Sequence, residues 1–288
     1  IFLIMGKVVE RECVYGNSQY LFIGNSPIPF VQSFNATYAN PSINSSFLGE
    51  KTSYPLPNGQ NRGQVSLSAL LLSQDILYPL TGNIGSNGFL FTNLNDRFSD
   101  NFGFVSGYLT SYSQSYSIDS VPSINASFEV YRELGTISSD TYTQGIVSEI
   151  NSLSYSSTGI VKDSILGSCL IDFTDIDSCP LLSYSINIST PRNAYYPINK
   201  RFPSDIFLSD SANITIALQL ERSSLTFPKT LDYPEIQNLK NFSISLLDKN
   251  NISYNSYSFT NMILDNVALG SSIESPDLVT MVYRKKLV

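Results

Sequence analysis

Three carboxylates, Asp172, Asp175 and Asp177, crowd the short span between Cys169 and Cys179 and form the densest acidic group in the chain. Closely spaced oxygen ligands on a loop are the raw material of a Ca²⁺ site, which takes six to eight oxygens. Their spacing departs from the EF-hand pattern, and a solvated acidic turn is the simpler reading. Asp96 and Asp100 form a second, weaker pair in which Arg97 is placed to satisfy one carboxylate. Neither group carries the separation or surroundings that would mark an acid–base pair.

Gly82, Gly85 and Gly88 recur at intervals of three, as glycines do in loops that cradle phosphate. The Gly-Lys-Ser/Thr ending and the following helix of such a loop are missing, while Asn83 and Asn87 point to a hairpin or a long loop. Histidine is absent altogether. This excludes Ser-His-Asp and Cys-His nucleophile activation, His-ligated zinc and histidine-based pH switching. We therefore assign no catalytic, cofactor-binding or metal-ligating residue, and expect a protein that is not an enzyme and needs no cofactor.

The elements that would position such residues read as strands almost throughout. Alternating, β-branched or aromatic-rich runs recur at 14–23, 28–38, 65–72, 102–112, 126–131, 158–161, 181–188, 214–220, 242–247 and 254–264. Turn clusters divide them at 57–59, 81–88 and 248–251. The one segment with helical spacing, Ser66 to Leu77, reads equally well as strand. Many short strands between Gly, Asn and Pro turns predict an all-β sandwich or barrel. Tyr108, Tyr112 and Tyr116 fall at four-residue steps among serines, a composition suited to protein contact or glycan binding if exposed and to a β core if not.

Composition narrows the partners. Charged residues make up 14% of the 288-residue chain, hydrophobic residues 42%, and the formal net charge is −7. The chain is long enough for one large or two medium domains. So few charges suit a surface that neighbours cover, and the negative balance argues against nucleic-acid binding. Arg284, Lys285 and Lys286 form the one basic cluster, read as a solvated tail or a weak contact with an inner partner. Apolar runs are too short to span a bilayer, so no transmembrane segment is expected. Cys13, Cys169 and Cys179 leave an odd thiol whichever pair forms, and reduced thiols are the simpler reading of all three. Asn-x-Ser/Thr sequons begin at Asn35, Asn44, Asn125, Asn187, Asn213, Asn241 and Asn251, hardly more than chance placement would give in so Asn- and Ser-rich a chain.

One segment is more specific. From Tyr15 to Phe30 the chain reads Tyr-Gly-Asn-Ser-Gln-Tyr-Leu-Phe-Ile-Gly-Asn-Ser-Pro-Ile-Pro-Phe, with Gly16 and Gly24 eight apart and Asn25, Ile28 and Phe30 following in step. It resembles the opening segment of double jelly-roll capsid proteins of double-stranded DNA viruses. Residues themselves predict a buried strand at Tyr20 to Ile23, a turn at 24–27 and a second strand from Ile28, with Pro27 and Pro29 confining that strand to an edge or a beginning. Leu264-Asp265-Asn266-Val267-Ala268-Leu269 is a fainter echo of a late element of the same family. The chain is shorter than typical members, which leaves room for a minor or vertex protein.

The resemblance implies two tandem jelly rolls: an N-terminal arm at 1–14, a first jelly roll at 15–155, and a second at 156–288 ending in the basic tail. It further implies a structural capsid protein of the virion, a homotrimer that assembles with neighbouring capsid proteins into an icosahedral shell in the host cell. An extracellular β-sandwich adhesin, or a surface module binding glycan or protein, is the alternative from a different class.

Overall fold

Serine at every second position is the pattern that organises this chain. In Ser111-Tyr112-Ser113-Gln114-Ser115-Tyr116-Ser117 each hydroxyl alternates with a larger side chain, and a strand sends the two sets to opposite faces. The structure, a computed structural model, describes residues 19–24, 26–39, 42–46, 53–57, 62–82, 85–92, 102–118, 120–132, 134–136, 169–172, 181–198, 200, 202–221, 239–247, 252–272 and 275–287. Within them the protein is all-β and sandwich-like, with antiparallel pairing throughout.

The strands are β1 (Gln19–Ile23), β2 (Ser26–Ile28), β3 (Val31–Ala39), β4 (Ser42–Ser46), β5 (Ser53–Pro57), β6 (Arg62–Leu70), β7 (Ser86–Thr92), β8 (Phe102–Ser117) and β9 (Ser123–Val130). They continue with β10 (Leu134–Thr136), β11 (Cys169–Asp172), β12 (Leu181–Ser189), β13 (Arg192–Tyr195), β14 (Asp205–Leu208), β15 (Asn213–Glu221), β16 (Lys240–Leu247), β17 (Ser253–Ser272) and β18 (Ser275–Lys286). A fourteen-stranded sheet runs β11-β16-β17-β18-β15-β12-β8-β7-β1-β2, with β10 pairing β8 and with β9, β6 and β3 branching in turn from β8. β4 with β5, and β13 with β14, form separate hairpins.

Two long strands make one sheet into layers. β17 pairs β16 up to Met262 and β18 from Ile263 onward. It changes partners beside Asn261, whose φ of 58° is a left-handed conformation that Asn tolerates, and whose N–H is held by Asn241 Oδ1 at 2.8 Å. A strand that switches sheets at a bend is how sandwich corners are made. β8 does the same work at the other end, pairing β7 through its first residues and β12 from Ser111. β3 stands three strands from β8 along the branch, about 14 Å in a flat sheet. Phe34 and Phe102 nonetheless meet with ring centroids 6.4 Å apart, so the sheet curls over itself there.

One apolar core fills the interior, drawing Leu21, Val65 and Phe128 from early strands and Ile186, Ile244, Tyr257 and Met281 from late ones. Phe242 of β16 touches both Phe259 and Tyr283, with centroids 5.6 and 5.2 Å away. Along the sheet the described strands of 19–136 lie together and those of 169–286 lie together, and the two sets join where β12 pairs with β8. The region 151–162, where the seam is expected, lies outside the described residues.

Of the Tyr15–Phe30 segment, the described residues Gln19–Ile23 and Ser26–Ile28 pair as a hairpin. β1 pairs β2 with Leu21 opposite Ile28 and Phe22 opposite Pro27, and Gly24 takes the left-handed turn at φ 60°. Pro27 is tolerated because β2 ends the sheet, leaving no ladder partner for its missing N–H. The expected single strand from Ile28 is instead broken at Pro29–Phe30, where Phe30 has φ 57°, and β3 starts afresh at Val31. The region 66–77 is strand only to Leu70, and a short 3-10 turn (Tyr78–Thr81) follows it. The basic cluster is no tail. Arg284, Lys285 and Lys286 end β18, paired with Thr215, Ile214 and Asn213 of β15, and Lys285 Nζ donates to the Thr260 carbonyl at 2.9 Å.

Candidate functional site

Polar groups collect in two places of opposite character, one inside the sandwich and one on its surface. The inner one centres on Asp75, buried at 7% exposure in the loop after β6. Its Oδ1 accepts the backbone N–H groups of Leu77 and Tyr78 at 2.8 and 3.1 Å, which caps the 3-10 turn. Its Oδ2 accepts the hydroxyls of Tyr112 from β8 and Tyr257 from β17, the latter at 2.9 Å. Asn255 completes the site, taking the Asp75 N–H on Oδ1 and donating from Nδ2 to the Ser73 carbonyl, each at 2.8 Å. Tyr78 packs edge-on against both tyrosine rings.

A buried carboxylate is tolerable only when its lone pairs are taken, and here four donors take them. Burial raises the Tyr112 and Tyr257 hydroxyls well above the ordinary tyrosine value, and the adjacent Asp75 charge adds to the effect. Neither phenol can serve as a base in this setting. With Asp75, Tyr112 and Tyr257 all buried, the arrangement ties the 71–81 loop to β8 and β17. No sequence signal marked Asp75, because it is a lone acid between Ser73-Gln74 and Ile76-Leu77; its tyrosine partners lie 37 and 182 positions away.

The surface site is the outer face of β9, β8, β12, β15 and β18. Register places Ser115 opposite both Ser123 and Ser185, Ser117 opposite Ser183, Ser185 opposite Ala217, and Gln219 opposite Thr280. These residues line a trough of about 520 Å³ walled at one end by Ser120 and Val121. Its hydroxyls are already organised. Ser117 donates to Ser120 Oγ at 2.9 Å, Ser120 to the Ser117 carbonyl at 2.7 Å, and Ser183 to Gln219 Oε1 at 3.0 Å. Among the described residues, none that lines it carries a charge.

The serine face ends where β8 bulges. Leu109 faces Phe128 and Ser111 faces Ser127, so Thr110 is extra and everything before it changes side. Tyr108 therefore stands opposite Glu129 on the outer face, while Tyr112 and Tyr116 point into the core. Tyr108 is covered in turn by the Arg192 guanidinium, 5.5 Å above its ring, and by Tyr131. The three tyrosines at four-residue steps thus do not form one exposed cluster.

Other expected residues fall as follows. Cys169 and Asp172 begin and end β11, while Cys13, Cys179, Asp175, Asp177, Asp96 and Asp100 lie outside the described residues. Gly82 follows the 3-10 turn and Gly88 sits within β7 opposite Ile23, a strand setting at odds with a phosphate loop. Among the described residues, no three carboxylates or thiols come together as metal ligands, and no helix is long and apolar enough to cross a membrane. Sequon residues Asn35, Asn125, Asn187 and Asn241 are exposed within strands. Their Asn-x-Ser/Thr spacing is the two-residue repeat of a polar strand face, which accounts for their number without glycosylation; Asn251 lies outside the described residues. No family model matches the chain, and no curated protein matches it either.

Proposed function

We propose that this chain is a structural subunit that works by self-association, in the setting the Tyr15–Phe30 resemblance implies: the capsid of a double-stranded DNA virus. The observation that carries the association is the combination of a weakly charged surface with large apolar side chains left outside. Ile198 is 92% exposed, Tyr195 60% and Phe207 53%, all on the β13–β14 hairpin and its connection, and Ile263 and Leu269 are about half exposed on β17. Such side chains are what neighbouring subunits cover. The viral setting rests on the resemblance, and the buried β1–β2 hairpin is compatible with it.

Two jelly rolls per chain, 15–155 and 156–288, and a homotrimer of pseudo-sixfold outline belong to the same proposal. Native mass spectrometry or light scattering on the purified chain tests it. Three copies of 31.9 kDa, about 96 kDa, is the expected result, and five copies would move the subunit to a vertex. A stable monomer overturns the shell reading; a monomer carrying sugar mass favours the surface-binding module.

A further inference from the structure

We infer that the trough on the β9-β8-β12-β15-β18 face is a binding site for a neutral, polyhydroxylated ligand, a short stretch of uncharged glycan chain. Its volume of about 520 Å³ falls in the range of sites that hold small molecules. The five strands are adjacent in the sheet, so four inter-strand steps give a run of about 19 Å perpendicular to them. That is a trough for a linear chain rather than a pit for a single compact molecule.

The chemistry of the lining selects the ligand. Ser115, Ser117, Ser183, Ser185, Gln219 and Thr280 offer hydroxyl and amide groups. A hydroxyl both donates and accepts, which matches a partner that is itself a row of hydroxyls. Among the described lining residues, nucleotides, phosphates and sulfates would find no counter-charge, and a metal ion no carboxylate. Ser183 fixes the Gln219 amide by donating to its Oε1, which leaves the Gln219 NH₂ turned to donate. The Ser117–Ser120 bonds hold the end wall in place before any ligand arrives, so little ordering cost is added on binding. The lining tyrosines, Tyr116 and Tyr184, pack against the core, so no ring is laid open as a stacking platform and the trough should bind weakly, with a Kd of about 1 mM.

This inference is independent of the subunit stoichiometry proposed above. Saturation-transfer NMR with linear hexasaccharides of glucose, mannose, galactose and N-acetylglucosamine, each at about 10 mM and so above the expected Kd, tests it on the full chain. At least one should show transfer, unchanged from pH 5 to 9 and by added salt, because no described lining residue carries a charge. Ala217→Arg puts a long cation between Ser185 and Val282 on the solvent side and should abolish the signal. Gln219→Ala should weaken binding several-fold, and Ser258→Ala on the opposite layer should leave it unchanged. No transfer from any hexasaccharide overturns the proposal, as does transfer that survives Ala217→Arg or is stronger for a sulfated analogue. A native mass altered by Ala217→Arg, with no sugar bound by the parent, also overturns it and makes the trough a contact between copies.

Discussion

The two faces of β8 show opposite ways of handling polarity. Inside, Tyr112 meets a single carboxylate whose every lone pair is engaged, and whose donors come from the 71–81 loop, β8 and β17. Outside, one residue away, Ser111 and Ser113 belong to a sheet-wide array in which most hydroxyls have water as an alternative partner. The inner group is a unique constellation, costly to break because nothing replaces a lost partner. Any member of the outer array is replaceable. The difference lies in access to water, since both faces use ordinary hydrogen bonds.

The comparison breaks most sharply at Asp75. Replacing it by Ala strips the acceptor from two tyrosine hydroxyls and two backbone N–H groups at once, all in the interior. We expect a loss of about 3–5 kcal/mol, because several buried donors are left unsatisfied at about 1–3 kcal/mol each, read as a lower denaturant midpoint. Asp75→Asn keeps one oxygen for the turn and should lose less. If Asp75→Ala cost under about 1 kcal/mol, a surface-like value, the contrast between the faces would be wrong.

Alkaline titration probes the same site without mutation. The folded protein holds the Tyr112 and Tyr257 protons more tightly than the unfolded chain, whose tyrosines titrate near 10.0. Their contribution is fully present below that pH and is lost as pH rises toward the folded values, because the unfolded state releases protons first. Stability should therefore fall above about pH 10. Tyr257→Phe should cost about 1.5–3 kcal/mol at neutral pH, as for a hydrogen bond to a charged group, and should flatten the alkaline fall. An unchanged alkaline slope in Tyr257→Phe and Tyr112→Phe would remove these phenols as its cause.

The contrast also explains what the amino-acid sequence reveals. Serine alternation is local, and β9, β12 and β16 fall close to where periodicity places them, while β8 runs on through its serine-alternating half to Ser117, five residues past the expected end at 112. The Asp75 constellation joins positions far apart in the chain, and no local pattern encodes such a meeting. Bulges escape for a related reason. The extra Thr110 looks like any strand residue, yet it sends Tyr108 outward while Tyr112 stays inside. The Arg284–Lys286 cluster read as a tail because charge suggests solvent, whereas pairing to β15 and β17 lets Arg284 and Lys286 stay exposed on a strand.

The smallest expected effect is on the outer face, and it sharpens the comparison by being small. Ser245→Ala breaks a 3.1 Å hydroxyl pair with Ser256, yet both groups are solvated in its absence, so stability should change by less than about 0.5 kcal/mol. A combined Ser111→Ala, Ser113→Ala and Ser185→Ala variant should likewise keep its denaturant midpoint within about 1 kcal/mol by near-additivity. What should change is behaviour in concentrated solution. With so few charges on the surface, the hydroxyls and amides are what keep this broad face wetted, and replacing them with methyl groups builds a continuous apolar patch. Sedimentation at rising concentration should show larger aggregates in the triple variant than in the parent. Loss of several kcal/mol with no new association would mean instead that the serine network stabilises the sheet itself, and the two faces of β8 would then obey the same rule.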